Sequence, residues 1–219
     1  MRVFLNGGGS GKKTLAACKR LNEVIDHNKP ILYIPIALDE SMFPGCMDFI
    51  TKELECVKVP EIIMELDMKK VADSNLDEYS AIFIGGGNTF KLMKCLKESG
   101  AFDNISEYLK RDGIVFGGSA GAIILGSSIE VAGYLDENEV GLTDLSGFDV
   151  YNGISLFCHY DGTAETKEYI RKLSEKMPIN ALTEETTIFI NGSSVEIIGD
   201  GIGFSDRIYG RNSMWHKKY

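Results

Sequence analysis

Short apolar runs alternate with amphipathic, helix-capable segments over the first 126 residues of this 219-residue chain. The apolar runs predict strands at residues 2–5, 31–35, 62–66, 81–84 and 114–116. The intervening segments predict helices at residues 12–28, 43–54, 88–99, 102–110 and 120–126. Because parallel strands need a crossover between them, usually a helix, this order predicts a three-layer α/β/α fold with a mainly parallel sheet.

The pattern loosens after residue 129. Residues 136–153 are rich in Asp, Glu, Asn and Gly, and we expect them to form a loop over the functional site. A strand at 154–158 and a helix at 163–176 follow. Strands at 187–190 and 195–198 around Asn191-Gly192 predict a C-terminal β-hairpin. No repeat, linker or second core is evident, so residues 1–219 are predicted to form one domain.

Composition narrows the class of partner and compartment. The net charge of −9 disfavours binding to nucleic acid or to an anionic membrane surface. The five cysteines include no C-x-x-C pair and are odd in number, which is typical of reduced thiols rather than a disulfide framework. No apolar stretch approaches the length of a membrane span. These features predict a soluble cytoplasmic protein.

The stretch GIVFGGSAGAIILG, residues 113–126, predicts a nucleophile elbow at Ser119. Such a strand-to-helix turn exposes a serine hydroxyl only where the neighbours are small, as Gly117, Gly118, Ala120 and Gly121 are. The Ala120 N–H would then lie at a helix start, where a free donor can hold an oxyanion. A glycine-rich βα turn with an incidental serine is the alternative interpretation.

A second glycine loop, IFIGGGNTFKL at residues 82–92, also follows an apolar strand and opens a helix. We expect it at the same carboxyl edge of the sheet as Ser119, where open α/β sheets bind ligands. A backbone N–H of Gly86 or Gly87 would complete an oxyanion hole with Ala120. A plain βα turn remains the alternative.

A serine nucleophile needs a base, and the chain has three histidines. His27 ends a predicted helix and His216 lies in the basic tail, which leaves His159 at the end of a predicted strand. A structural role for His159 is the alternative. Spacing alone does not identify the acid that would orient it; the candidates are Asp136, Asp144, Asp149, Asp161, Glu165, Glu184 and Glu185.

The N-terminal GGGSGKKT invites comparison with a phosphate-binding P-loop, but the spacing differs. Asn6 occupies the first glycine position, and Lys13 stands where a magnesium-binding hydroxyl belongs. A βα turn that starts a helix is the favoured interpretation.

Three motifs in order, GGGNTFKL, GGSAGA and CHYD, resemble those of the peptidase E (aspartyl dipeptidase) family, which is related to cyanophycinases and to the class I glutamine amidotransferase fold. The resemblance implies a flavodoxin-like sheet and a serine peptidase that hydrolyses short peptides without a metal or organic cofactor. It further implies a dipeptidase with preference for an N-terminal aspartate. It is compatible with a homodimer. A cyanophycinase-like hydrolase of aspartyl-linked polymers and a catalytically weak ligand-binding protein are the alternative readings.

The resemblance also implies roles for individual residues. Ser119 matches the nucleophile, His159 the general base and Glu184 the orienting acid, although a shifted alignment favours Glu185 or places Thr186 there. The N–H groups of Gly87 and Ala120 correspond to the oxyanion hole, and Asn88 to a substrate contact.

The residue that reads the substrate's aspartate is an arginine in the family pattern, and Lys167 stands in its place. Lysine keeps the charge but loses the bidentate fork that fits a carboxylate.

Overall fold

A computed structural model describes residues 1–199 of the chain. Within this range the main sheet contains seven strands, which are β1 Arg2–Asn6, β2 Ile31–Ile34, β3 Ile62–Met64, β4 Ala81–Ile84, β5 Ile114–Gly118, β8 Thr187–Asn191 and β9 Ser194–Ile198. Their order is β3-β2-β4-β5-β1-β8-β9. The first five are parallel, whereas β8 and β9 form an antiparallel hairpin on β1.

Helices cover both faces of the sheet. They are α1 Leu15–Val24, α2 Cys46–Glu53, α3 Met68–Asp73, α4 Thr89–Ser99, α5 Ala101–Lys110, α6 Ala120–Leu125 and α7 Ala164–Leu173. A smaller parallel sheet pairs β6, Ser155–Phe157, with β7, Ile179–Ala181. The predicted three-layer, flavodoxin-like α/β/α fold with its C-terminal hairpin is therefore confirmed.

The alternation of side chains along the strands divides the core into two layers. On the face covered by α1 and α2, four aromatic rings from neighbouring strands stack in a row; they are Phe189, Phe4, Phe116 and Phe83. On the other face, aliphatic residues of the same strands pack against α4, α5 and α6. Since side chains of a strand alternate between faces, both layers arise from near-continuous apolar runs, which is typical of a buried parallel sheet.

Several predicted boundaries differ from the structure. The helix expected at residues 12–28 is shortened to α1, because Gly11–Lys13 form a separate 3-10 turn and Ile25 returns to an extended conformation. Neither α3 nor β7 was predicted from the sequence. Both are short: α3 buries only two side chains, and β7 has the polar Asn180 at its centre, so neither carries a clear hydrophobic period.

Residues 136–153 run along the side of α4 and then against the end of α6, where the Phe148 N–H donates to the Ile124 carbonyl at 2.8 Å. Lys94 Nζ donates to the Val140 carbonyl at 3.0 Å, and Lys97 Nζ lies 2.6 Å from Asp144 Oδ2. Only the start of the segment reaches the loop after β4, where the Thr89 N–H donates to Asp136 Oδ2 at 2.8 Å. The segment expected to form a loop over the site is therefore bound mostly to α4 and to the end of α6.

Candidate active site

Ser119 lies in the sharp turn between β5 and α6, at the carboxyl edge of the sheet. Its backbone has φ 53° and ψ −116°, a conformation that is uncommon for a residue with a side chain. Its N–H donates to the Asn6 carbonyl at 3.1 Å, and its own carbonyl accepts from Ala122 and Ile123. Strained backbone of this kind costs about 1–3 kcal/mol and persists only where its surroundings hold it, as these three hydrogen bonds do.

The small residues around Ser119 are required to different degrees. A Cβ at residue 117 would lie 2.4 Å from the Gly121 carbonyl oxygen, and one at residue 121 would lie 2.2 Å from the Ile84 carbonyl oxygen. Neither position can accept a side chain without backbone movement. A Cβ at Gly118 would meet no atom within 4 Å, so this position, unlike the other two, has room for a methyl group. The elbow therefore excludes a side chain at residue 117, which packs against α6, and at residue 121, which packs against β4.

Ser119, His159 and Glu184 form a continuous hydrogen-bonded chain. Ser119 Oγ lies 2.8 Å from His159 Nε2, and His159 Nδ1 lies 3.0 Å from Glu184 Oε1. His159 directly follows the β6 region, and Glu184 lies in the loop between β7 and β8, so three separate parts of the chain meet here. A neutral imidazole with its proton on Nδ1 can donate to the carboxylate and accept from the hydroxyl at the same time.

The N-terminal glycine loop holds the histidine in place. His159 has φ 54°, and its N–H donates to the Gly7 carbonyl at 2.9 Å. A Cβ on Gly8 would come within 2.3 Å of His159 Cε1, and one on Gly9 within 2.1 Å of the Glu184 carbonyl oxygen. The loop that resembled a P-loop is therefore packed against the histidine and the glutamate. This contact was not predicted, because the spacing of GGGSGKK carries no signal for a partner about 150 residues away.

Lys13 binds the second oxygen of Glu184. Its Nζ lies 2.5 Å from Glu184 Oε2, on the opposite side of the carboxylate from His159. Bonds from Lys13 and then from His159 hold the pKa of Glu184 below its ordinary value, so this carboxylate stays ionised at neutral pH. Glu185, the alternative acid, has no comparable contact with the ring among the described residues. A cavity of about 320 Å³ adjoins this cluster and is lined by Lys13, His159, Tyr160, Asp161, Thr183, Glu184 and Glu185.

The two backbone N–H groups predicted to form an oxyanion hole belong to the two loops that meet beside Ser119. Ala120 is the first residue of α6, so the helix provides no acceptor for its N–H. Gly87 has φ 133°, and a Cβ there would lie 2.3 Å from the Ala37 carbonyl oxygen. Within residues 1–199 the Gly87 N–H donates no hydrogen bond to the protein. A Cβ on the adjacent Gly86 would lie 3.0 Å from the Ser119 Cβ, so this loop passes directly beside the serine.

The two residues expected to contact substrate differ in their surroundings. The Asn88 amide is already engaged: Oδ1 caps α4 by accepting from the Lys91 N–H at 2.9 Å, and Nδ2 donates to the Glu137 carbonyl at 2.9 Å. Lys167 is exposed on α7, and its ammonium group has no hydrogen-bond or ion-pair partner within the described part of the chain. Asn88 therefore shapes the loop beside Ser119, whereas Lys167 is an exposed charge that does not line the cavity beside Glu184.

Among residues 1–199, no group of three or more histidine, cysteine, aspartate or glutamate side chains is arranged to hold a metal ion. In the same range, no helix has the length and apolarity needed to cross a membrane.

The chain has a flavodoxin-like sheet, and a serine, a histidine and a glutamate are hydrogen-bonded at the carboxyl edge of that sheet. This arrangement is typical of α/β proteins that are hydrolases. Residues 3–198 match the family model of peptidase family S51. The chain therefore belongs to peptidase family S51. This match confirms the resemblance to the peptidase E family that the three sequence motifs indicated.

Similar proteins agree with this assignment. An uncharacterized peptidase of Listeria monocytogenes serovar 1/2a, Lmo0363, is 27% identical over 179 residues, which cover 76% of this chain and 84% of that protein. Peptidase E of Shigella sonnei is 27% identical over 132 residues, or 59% of this chain. The match spans only 54% of that peptidase E.

The fold is also shared with a solved structure. The 1.5 Å crystal structure of a protein assigned to peptidase E from Listeria monocytogenes EGD-e superposes with a TM-score of 0.71. The superposition covers 91% of this chain and 98% of that chain at 23% sequence identity, so this likeness concerns the fold.

Proposed function

We propose that this protein is a serine peptidase that hydrolyses short peptides through Ser119, His159 and Glu184. The observation that carries the proposal is the unbroken chain of contacts from Ser119 Oγ through the imidazole to Glu184 Oε1, at 2.8 and 3.0 Å. Both distances lie within the range expected for a nucleophile, its base and the group that orients the base. Membership of a peptidase family supports the same reaction class.

The first half of the reaction acylates the serine. As Ser119 Oγ attacks the scissile carbonyl carbon, its proton passes to His159 Nε2, and Glu184 stabilises the resulting imidazolium. The carbonyl oxygen becomes an oxyanion that accepts hydrogen bonds from the N–H groups of Gly87 and Ala120. His159 then donates its proton to the leaving amine, the C–N bond breaks, and an acyl-enzyme remains on Ser119.

The second half of the reaction hydrolyses the acyl-enzyme and releases the carboxylic acid product. Water attacks the ester carbonyl and gives a proton to His159 Nε2, the tetrahedral intermediate expels Ser119 Oγ, and the proton returns to the serine. Every proton in this cycle is carried by His159, so the proposal needs no further acid or base in the site.

We further propose a dipeptidase with preference for an N-terminal aspartate, which Lys167 would recognise by charge. The similarity to peptidase E supports this assignment, and Lys167 has no partner within residues 1–199 that would neutralise its charge. A lysine binds a carboxylate as a point charge rather than through a planar fork, so we expect weaker discrimination between aspartate and glutamate than an arginine would give.

The proposal is tested by measuring hydrolysis of Asp-Leu, Glu-Leu, Ala-Leu and acetyl-Asp-Leu by the wild type and by Ser119→Ala. Cleavage of Asp-Leu that disappears in Ser119→Ala supports the serine peptidase. Full activity in Ser119→Ala would refute it. Cleavage restricted to aspartyl-linked polymers would assign the chain to the cyanophycinase-like alternative, and binding of peptides without cleavage would make it a ligand-binding protein.

The specificity is tested by Lys167→Met, with Lys172→Met as the control. Lys172 lies on the same helix but pairs with Glu168 at 3.5 Å. We expect Lys167→Met to raise KM for Asp-Leu by up to about fivefold, since an exposed ion pair contributes up to about 1 kcal/mol, and to leave Ala-Leu unchanged. Equal effects of both variants on Asp-Leu would refute the role of Lys167.

A further inference from the structure

The Glu184 carboxylate is held from both sides although it is not buried. Its side chain is 41% exposed, and it lies in a loop rather than on a strand or helix. The bond to His159 uses Oε1 only, and a half-exposed glutamate joined through one oxygen can rotate about its last side-chain torsion towards water. Lys13 occupies the other oxygen, Oε2, at 2.5 Å. With both oxygens engaged, the plane of the carboxylate is defined.

Lys13 is itself fixed by the turn that carries it. The Lys13 N–H donates to the Ser10 carbonyl at 3.2 Å, closing the 3-10 turn. The Gly11 N–H donates to Glu53 Oε2 at 2.7 Å, and the Thr14 hydroxyl also bonds to Glu53, so the turn is fastened to α2. The close approach of Gly9 to the Glu184 backbone brings the turn and the glutamate together. The position of the Lys13 backbone beside Glu184 is therefore built into the fold.

We propose that Lys13 is a positioning residue of the active site, which acts through Glu184 to hold the imidazole of His159 in line with Ser119. The inference rests on the proposed function. The contacts of Lys13 reach Glu184 and not the reacting atoms, so Lys13 governs the geometry of the base and does not take part in proton transfer. The bond between the two raises the pKa of Lys13 and lowers that of Glu184, which keeps both charged at neutral pH.

The chain offers a matched control in the adjacent lysine. Lys12 belongs to the same 3-10 turn and is exposed, but its side chain makes no hydrogen bond or ion pair within residues 1–199. Lys12→Met and Lys13→Met change the net charge and the local helix propensity in the same way. Any difference between them reports the contact with Glu184. Lys13→Arg keeps a cation that can reach the same oxygen.

The first measurement is the rate at which a fluorophosphonate probe labels Ser119, since this reports activation of the serine whatever the natural substrate is. We expect labelling of Lys13→Met to be about tenfold slower than that of the wild type, a fraction of the ~10⁴ effect known for losing an orienting acid itself. Lys12→Met should react at the wild-type rate, and Lys13→Arg should recover most of it. Equal rates for Lys13→Met and the wild type would overturn the proposal.

With a cleaved dipeptide, Lys13→Met should lower kcat and leave KM unchanged. A raised KM with unchanged kcat would make Lys13 a substrate contact and also overturn the proposal. Thermal unfolding checks that each variant is folded.

The second measurement separates this inference from the proposed function. The proton on His159 Nδ1 is expected to give a far-downfield ¹H resonance, assigned by its absence from Glu184→Gln. It should be visible in the wild type and lost by solvent exchange in Lys13→Met, because the carboxylate is then free to turn away. If the probe does not label the wild type, the proposed chemistry fails, and this resonance alone decides the role of Lys13: persistence in Lys13→Met refutes it and loss supports it.

Discussion

The imidazole of His159 lies against Gly8 so closely that a Cβ on residue 8 would come within 2.3 Å of the ring Cε1 and 2.4 Å of Nε2. Nε2 is the atom that faces Ser119 Oγ. An N-terminal glycine loop therefore sets where the His159 ring can lie, although it contributes no side chain to the proposed reaction. The turn that follows this loop carries Lys13, so one segment contacts both the His159 ring and the Glu184 carboxylate bonded to it.

Gly8→Ala is expected to displace the ring and reduce kcat/KM about 10²-fold, the loss that follows a misplacement of roughly 1 Å. Gly11→Ala is the control, because Gly11 also has a positive φ, of +62°, but a Cβ there meets no atom within 4 Å. Both variants should lose about 1–3 kcal/mol of stability from backbone strain, and only Gly8→Ala should lose activity. Peptide hydrolysis and thermal unfolding measure the two effects; comparable activity loss in both would contradict the steric argument.

Replacing each of the adjacent glutamates separately identifies the orienting acid. Glu184→Gln keeps the shape of the side chain but removes the charge opposite His159 Nδ1, and we expect kcat to fall by about 10²–10⁴-fold. Glu185→Gln should change kcat less than about twofold, since it removes no contact to the ring. Steady-state kinetics on one dipeptide decides between the two glutamates. A larger loss of kcat in Glu185→Gln than in Glu184→Gln would identify Glu185 as the orienting acid.

The elbow glycines should differ sharply in their tolerance of a methyl group. Gly117→Ala places a Cβ 2.4 Å from a backbone oxygen, and we expect it to cost about 2–4 kcal/mol or to prevent folding. Gly118→Ala enters open space and should keep the stability of the wild type to within about 0.5 kcal/mol. Denaturant unfolding measures both changes, and equal losses would show that the turn is constrained differently.

The stability that Glu184 contributes should depend on pH. Lys13 and His159 hold its pKa below the ordinary value of 4.5, so the folded protein binds this proton less readily than the unfolded chain. The contribution is present above about pH 4.5 and is lost as the pH falls through the lower, folded pKa. We expect the wild type to melt above Glu184→Gln at pH 7 and the difference to shrink at pH 4 and below. A difference that is constant over this range would argue against the ion pair with Lys13.

Local sequence determined most of the fold. The strands β1, β2, β4 and β5 are uninterrupted apolar runs, and the helices between them repeat apolar residues at helical spacing, so each element follows from its own residues. The elbow around Ser119 could be predicted for the same reason, since its strand, its small residues and its helix are contiguous. The position of His159 at a strand end likewise needed only the apolar run that precedes it.

Tertiary structure decided what the residues between elements do. Whether Glu184 or Glu185 faces His159 depends on how the loop between β7 and β8 enters the hairpin, and adjacent carboxylates carry no local signal that separates them. The partnership of Lys13 with Glu184 joins residues 171 positions apart, which no spacing rule can indicate. The tolerance at Gly118 and the fastening of residues 136–153 to α4 also depend on neighbours supplied by distant segments. Hydrophobic periodicity is a local property of the chain, whereas the geometry of a site assembled from several loops is set by packing.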